Sequence, residues 1–212
     1  MDKSTIIYID EEQSALDIYG GVLRDFLPED VSIECMLPKQ TLSEMLSILC
    51  QKRGSVVSII LDEHLEVAGT ASYIGSELAD AYRQIDDKIP IYILSNDPND
   101  VDGNLKSIEY VLSKDDFADG GPALESAAKR IVRHMHNYDK ITGEREIRFL
   151  ALLQKYMKSD LSAEEASEFE QLKFWREAPI AIEESSNTLS IKSELDEQEK
   201  LIQEIEQLLA EK

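Results

Sequence analysis

The segment VVSIILDEH, residues 56–64, indicates what kind of sheet the chain forms. Residues 56–61 are apolar apart from Ser58, and the acidic residue Asp62 follows them directly. A strand whose side chains are apolar on both faces is typical of a parallel sheet that helices cover on both sides. The segment therefore predicts a central parallel strand that ends in a carboxylate.

Four other apolar runs lie on either side of this segment, at 6–9, 31–37, 89–94 and 110–112. The stretches between the runs carry apolar residues at helical spacing, although the stretch that ends near Ile108 is only weakly helical. Strands that alternate with helices predict an α/β domain with a five-stranded parallel, doubly wound sheet. We expect this domain to cover residues 1–138.

The segment that follows, 139–212, contains no strand-like run. We expect a helical hairpin extension over 139–180, with one helix at about 144–158 and a second that begins at a capping box of Ser162 and Glu165. The polar stretch 181–188 is typical of a linker. The rest of the chain is predicted to be helical.

This last segment, 189–212, carries a heptad stripe, which predicts an amphipathic helix able to form a short coiled coil. The stripe consists of Ile191, Leu195, Gln198, Ile202, Ile205 and Leu209. About three heptads are marginal for an isolated helix. Three interpretations stay open: a homodimer through 189–211, docking of a partner, and packing against the chain's own domain. The first two are favoured.

The composition excludes several classes of protein. The 212 residues include 22 Lys and Arg against 43 Asp and Glu, for a net charge of −21. Nucleic-acid binding depends on Lys and Arg that replace counterions, so we expect no nucleic-acid partner. No run is long enough for a signal peptide or a membrane span, and the two cysteines, Cys35 and Cys50, form no metal-binding motif. These features predict a cytoplasmic protein that does not bind membranes.

Polar residues follow four of the five predicted strands directly. They are Asp10-Glu11-Glu12, Asp62, Ser95-Asn96 and Ser113-Lys114. In a parallel sheet these groups meet at one edge, where clustered carboxylates need a cation such as Mg²⁺. A lysine and a hydroxyl beside that cation suit a phosphoryl group, which an aspartate can accept as a nucleophile. The pattern predicts metal-assisted phosphoryl transfer to Asp62.

With these residues in order, the segment from 5 to about 138 resembles a response-regulator receiver domain of two-component signalling. The resemblance implies a flavodoxin-like fold, bound Mg²⁺ and a phosphoryl group accepted from a histidine kinase or phosphotransfer protein. The implied metal ligands are Asp10, Glu11, Asp62 and the backbone carbonyl of His64; the implied phosphoacceptor is Asp62, and the implied phosphate contacts are Ser95 and Lys114.

The chain departs from the family pattern at four positions. Glu11 stands where Asp is usual, and Glu66 and Asp115 stand where the family usually has Pro. Val111 occupies the aromatic switch position, with Tyr110 beside it. Residues needed for phosphorylation are present, but an aromatic switch is not expected to work in the usual way.

The composition of the tail narrows the expected output. Residues 139–212 hold 10 basic and 18 acidic residues, so the tail is predicted to act on a downstream protein effector and not on DNA. We expect no enzyme activity beyond autophosphorylation from a phosphodonor and slow self-dephosphorylation.

Two alternative functions use the same fold class or the same carboxylates. One is a pseudo-receiver, a docking or dimerisation module that is never phosphorylated. The other is a phosphatase similar to haloacid dehalogenases, which would need its nucleophile in a DxDx[TV] loop. Residues 10–12 read Asp-Glu-Glu, and this does not fit that loop.

Overall fold

A computed structural model describes residues 4–67, 69–98, 101, 105–118 and 121–177. Strands and helices alternate as the sequence predicts, except that a short helix not predicted from the sequence directly follows the last strand. In order they are β1 (Ser4–Ile9), α1 (Gln13–Arg24), β2 (Val31–Met36), α2 (Leu42–Lys52), β3 (Val56–Asp62), α3 (Gly75–Arg83), β4 (Ile91–Ser95), a 3-10 turn (Leu105–Ser107), β5 (Tyr110–Ser113), α4 (Lys114–Ala118), α5 (Pro122–Met157) and α6 (163–177).

The five strands form one parallel sheet in the order β2-β1-β3-β4-β5. Every residue of β3 is buried, which confirms the central position predicted from its apolar sequence. Strand order reverses direction between β1 and β3, the point at which doubly wound sheets leave a crevice at their carboxyl ends. The predicted α/β, doubly wound fold is therefore confirmed.

Helices cover both faces of the sheet. Helix α1 contacts α4, and α4 contacts α5, whereas α2 contacts α3, and α3 contacts the 3-10 turn. Right-handed crossovers place these two groups on opposite faces, because the chain moves outward in opposite directions from the centre of the sheet. The core between the layers consists mainly of Ile, Leu and Val from the strands, with Tyr8, Tyr82, Tyr92 and Phe117 among its largest buried side chains.

The helical extension differs from the prediction in one respect. Helix α5 runs unbroken for 36 residues, so the helix expected at about 144–158 is instead its carboxyl-terminal part. Gly143 lies inside it; the cost of one glycine, about 1 kcal/mol, is smaller than what packing along the helix provides. The capping box of Ser162 and Glu165 is present, with paired hydrogen bonds of 3.2 Å each.

Helices α5 and α6 form an antiparallel hairpin. The ring of Phe169 on α6 stacks on Phe149 and Tyr156 of α5, with centroids 5.3 and 5.2 Å away. Arg148 pairs with Glu168 across the same interface. The hairpin is therefore held by a small aromatic core with ion pairs along its edge.

The hairpin is also anchored to the sheet domain through buried Asp86, which precedes β4. The hydroxyl of Tyr138 on α5 donates to the Asp86 carboxylate over 2.7 Å. Arg53 lies 3.5 Å from the same carboxylate and donates to the backbone carbonyl of Trp175 on α6 over 2.6 Å. These contacts lie at the amino ends of the strands, the end of the sheet opposite to Asp62.

The division of the chain into 1–138, 139–180, 181–188 and 189–212 stays a prediction. Residues 178–212, with the predicted coiled coil, lie outside the described residues. Among the described helices, none is both long enough and apolar enough to cross a membrane. Neither Cys35 nor Cys50 forms a disulfide bond.

Candidate functional site

The candidate site lies where β1 and β3 end side by side. Asp10 follows the last residue of β1, and Asp62 is the last residue of β3. Because the two strands are neighbours at the reversal of strand order, their carboxylates meet in the crevice at the carboxyl edge of the sheet. Both side chains are almost fully buried.

Lys114, the first residue of α4, joins the two aspartates. Its Nζ lies 2.6 Å from Oδ1 of Asp62 and 2.9 Å from Oδ2 of Asp10. Burial alone would lower the pKa of this amine, but its hydrogen bonds to both carboxylates raise the pKa above the usual lysine value. The lysine therefore stays charged and lies between two negative groups that would otherwise repel each other.

Asp10 is held from two further directions. The buried hydroxyl of Tyr8, on the preceding strand, donates to its Oδ2 over 2.6 Å, and the backbone N–H of Glu12 donates to its Oδ1 over 3.0 Å. Burial, with the nearby Asp10 charge, raises the pKa of Tyr8, so this hydroxyl keeps its proton and remains a donor. Tyr8 was not predicted as a site residue because, in the sequence, it is one more bulky residue of an apolar strand.

Asp62 presents its second oxygen to the loop that follows it. Oδ2 accepts a hydrogen bond from the backbone N–H of His64 over 2.6 Å. Gly75, which follows this loop, is the first residue of α3. It lies so close to β3 that a Cβ at this position would be 2.1 Å from the carbonyl oxygen of Asp62. The carboxylate is thus fixed by the amine and the His64 N–H, and its backbone is fixed by the start of α3.

Glu63, the residue after Asp62, stabilises the start of α3 beside the site. Its buried carboxylate accepts hydrogen bonds from the hydroxyl and the backbone N–H of Ser76, over 2.7 and 3.0 Å. It therefore caps the first turn of α3 and ties that turn to the residue next to Asp62. The sequence could not distinguish this role, since Glu63 is one of several acids in the region.

Glu11 completes an acidic group with the two aspartates. One oxygen from each of Asp10, Glu11 and Asp62 lies within 4.8 Å of the others. Oε2 of Glu11 is buried with no hydrogen-bond partner, and burial, together with the charges of Asp62 and Asp10, raises the pKa of Glu11 to about 7. A carboxylate with one unpartnered oxygen beside two other carboxylates fits a site for a hard divalent cation, because such cations prefer oxygen ligands.

The remaining predicted site residues are near the crevice but are engaged locally. Ser95 ends β4 next to β3, and its hydroxyl exchanges two hydrogen bonds of 3.2 Å with the backbone of Asp97. The backbone carbonyl of His64 accepts from the N–H of Val67 over 3.1 Å. A phosphoryl or metal contact by either group stays a prediction.

Comparison with solved structures supports the fold that this geometry implies. The chain matches NtrX from Brucella abortus with a TM-score of 0.50 and 17% sequence identity, over 66% of this chain and 29% of that chain. The response regulator TrrA from Thermotoga maritima, solved in complex with Mg²⁺ and BeF, matches at a TM-score of 0.46 and 14% identity over 62% of this chain and 98% of TrrA.

The chain has a receiver fold. The match spans less than a third of NtrX, and an identity this low carries information on the fold alone. TrrA was also solved in complex with the histidine kinase ThkA, a structure that matches at a TM-score of 0.45 with 16% identity, over 60% of this chain and 97% of that one. No protein-family model matches the sequence, and a search of curated proteins finds no significant match.

The raised pKa of Glu11 predicts a pH dependence of stability when no divalent cation is present. The folded receiver holds the Glu11 proton up to a pH of about 7, whereas the unfolded chain releases it near its ordinary value of 4.5. The contribution of protonated Glu11 to the free energy of unfolding is therefore fully present below pH 4.5, and it is lost as the pH rises through about 7. Since Glu11 is partly exposed, we expect a loss of about 1–2 kcal/mol.

Urea unfolding in EDTA at several pH values from 5 to 8 measures this loss. The variant Glu11→Gln removes the titrating group and should flatten this part of the pH profile. Glu12→Gln, the matched control, removes the charge of the exposed neighbour and should leave the profile unchanged. Equal slopes in wild type and Glu11→Gln would show that Glu11 titrates normally.

Proposed function

We propose that the chain is a response-regulator-like signalling protein that accepts a phosphoryl group on Asp62. The observation that carries the proposal is the bridge of Lys114 between Asp62 and Asp10, in a nearly buried position at the carboxyl edge of a receiver-fold sheet. A buried lysine shared by two carboxylates is costly to desolvate, so a purely structural role is a poor explanation for it.

The acidic group is suited to Mg²⁺. Asp10, Glu11 and Asp62 would hold the ion, with the backbone carbonyl of His64 as a further oxygen ligand, in agreement with the unpartnered oxygen of Glu11. When bound, Mg²⁺ supplies positive charge that offsets the negative charge of the transferring phosphoryl group. The charge of Lys114 acts in the same sense from the other side of Asp62.

The proposed reaction transfers a phosphoryl group from a donor to the carboxylate of Asp62. A carboxylate oxygen of Asp62 attacks the phosphorus atom of the donor and forms a P–O bond. The bond from phosphorus to the donor breaks with its electron pair, which leaves on the imidazole nitrogen of a phosphohistidine or on acetate when acetyl phosphate is the donor. The His64 N–H holds one oxygen of Asp62 in place. Ser95 would contact the phosphoryl group after leaving its bonds to Asp97.

The partners follow from the same proposal. The donor would be a histidine kinase or a phosphotransfer protein, and the helical extension would contact a downstream protein effector. The acidity of residues 139–212 argues against DNA as the target. The hairpin is fixed at the end of the sheet opposite to Asp62, so a signal would have to cross the domain to reach it.

Incubation of the full chain with acetyl phosphate and Mg²⁺ tests the proposal. We expect intact-mass spectrometry to show one added phosphoryl group per chain, lost on treatment with hydroxylamine, which cleaves acyl phosphates. The same mixture with EDTA in place of Mg²⁺ is the control and should show no adduct. Beryllofluoride with Mg²⁺ should protect the chain against thermal unfolding under the same conditions.

A second candidate function is the pseudo-receiver, a docking module that is not phosphorylated. Two departures from the family pattern favour it, since Glu11 stands where Asp is usual and Asp115 follows Lys114 where Pro is usual. In that case neither an adduct nor protection by beryllofluoride would be observed, although the receiver fold would be intact.

A further inference from the structure

The carboxyl-terminal half of α5 exposes an apolar stripe. Its members recur at the 4, 3, 4, 3 spacing of a heptad and are Gly143, Ile147, Leu150, Gln154 and Met157. Ile147 is 72% exposed, Leu150 is 47% exposed and Met157 is 79% exposed. These five residues are called the α5 stripe, and its three exposed apolar members form a patch of the kind that marks an interaction site.

Helix α6 does not use the α5 stripe. It packs on another side of α5, where Phe149 and Tyr156 stack on Phe169 and Leu152 is fully buried. An apolar stripe that remains exposed beside a formed hairpin is available for a third helix to cover.

We propose that residues 191–209 of the same chain form an amphipathic helix that packs along the α5 stripe. The proposal does not depend on phosphorylation of Asp62. The two stripes match in pattern, since residues 191–209 also recur at 4, 3, 4, 3, 4 and also carry one glutamine, Gln198, among apolar members. Pairing the two would cover the α5 stripe and most of the apolar face of the tail, and would form a three-helix unit with α6.

The length of the connection allows this packing. Helix α6 is described as far as residue 177, and near this point Trp175 and Arg176 lie against Arg145 and Glu146 of α5, close to the first member of the α5 stripe. Residues 178–190 can extend by about 40 Å at 3.3 Å per residue. The α5 stripe itself is about 21 Å long at 1.5 Å per residue. The tail can therefore reach the α5 stripe without strain.

The charge of the tail and its covalent tether favour packing of the tail on its own chain over formation of a dimer through two tails. Residues 189–212 hold seven acidic and three basic residues, so two such helices side by side would repel each other. Residues 139–157 of α5 hold four basic and three acidic residues, and its arginines and Lys155 already pair with acidic residues, so this part of α5 carries almost no net charge to repel the tail, unlike a second copy of the tail. A short tether also gives an effective concentration in the millimolar range, well above that of a second copy.

Hydrogen exchange of the full chain, followed by mass spectrometry, tests the proposal together with light scattering at several concentrations. We expect a monomer in which the amides of 191–209 exchange at least about tenfold more slowly than those of 181–188. Two variants, Ile147→Glu on α5 and Ile202→Glu on the tail, should each abolish this protection. Ile147 is exposed, so its substitution leaves the hairpin core intact.

The matched control is the double variant Gln203→Glu with Gln207→Glu, which adds charge on the opposite side of the tail helix and should keep the protection. A tail that exchanges freely in the wild type would overturn the proposal. So would protection that survives Ile147→Glu, because the tail would then pack elsewhere. A dimer whose tail protection falls on dilution would assign the tail to a second copy and overturn packing within one chain.

Discussion

Substituting Asp62 by asparagine should abolish the adduct formed with acetyl phosphate and Mg²⁺. Asparagine keeps the size of the side chain but lacks the negatively charged oxygen that attacks phosphorus. It also removes one of the carboxylates that lie within 4.8 Å of each other, so the binding of Mg²⁺ should weaken at the same time. Intact-mass spectrometry under the conditions that phosphorylate the wild type measures the loss.

The Asp62→Asn variant should fold, because it removes a negative charge from a cluster of three carboxylates and one lysine. Lys114 keeps its partner Asp10 at 2.9 Å, and the buried cluster carries less repulsion than before. Circular dichroism and urea unfolding check this point. The matched control is Glu12→Gln, next to the cluster in sequence, whose exposed side chain caps nothing; it should accept the phosphoryl group as the wild type does. An adduct of normal yield on Asp62→Asn would place the phosphoacceptor elsewhere.

The central part of the fold could be predicted from sequence because its signals are local and strong. Residues 56–61 are almost entirely apolar and end at Asp62, and this is sufficient to predict a buried parallel strand with a carboxylate at the edge of the sheet. Lys114 follows another strand directly, so its meeting with Asp62 follows from the parallel arrangement alone. Both predictions rest on residues at the carboxyl ends of strands, and these ends meet at one edge because the strands are parallel.

What the sequence could not predict depends on contacts between distant residues. Glu63 and Gly75 act on the site only because a twelve-residue connection brings the start of α3 back to the end of β3. The unbroken α5 was missed for a similar reason. Gly143 and the charges around it favour a break locally, whereas the hairpin contacts of Phe149 and the anchor at Tyr138 hold one helix through that point.

Removing the amine of Lys114 should produce the largest change in stability. In the variant Lys114→Met, Asp10 and Asp62 would face each other in a nearly buried site with no cation between them. Breaking a buried pair by removing one partner leaves uncompensated charge, and we expect the free energy of unfolding to fall by about 3–5 kcal/mol at neutral pH in EDTA. Urea unfolding of the two proteins under identical conditions measures the difference.

The loss of stability in Lys114→Met should depend on Mg²⁺ and on the charge of Asp10, whereas a loss that comes from packing alone should not. Mg²⁺ should recover part of it, because the ion supplies positive charge to the same carboxylates. Adding Asp10→Asn should also recover part of it, so the two substitutions together should cost less than the sum of their separate effects.

Unchanged stability in Lys114→Met would contradict the view that the lysine offsets the repulsion between Asp10 and Asp62. A deficit that neither Mg²⁺ nor Asp10→Asn reduces would instead indicate that the methylene chain of Lys114 matters through packing. The first outcome would also weaken the proposed function, since the bridge of Lys114 is the observation on which that proposal rests.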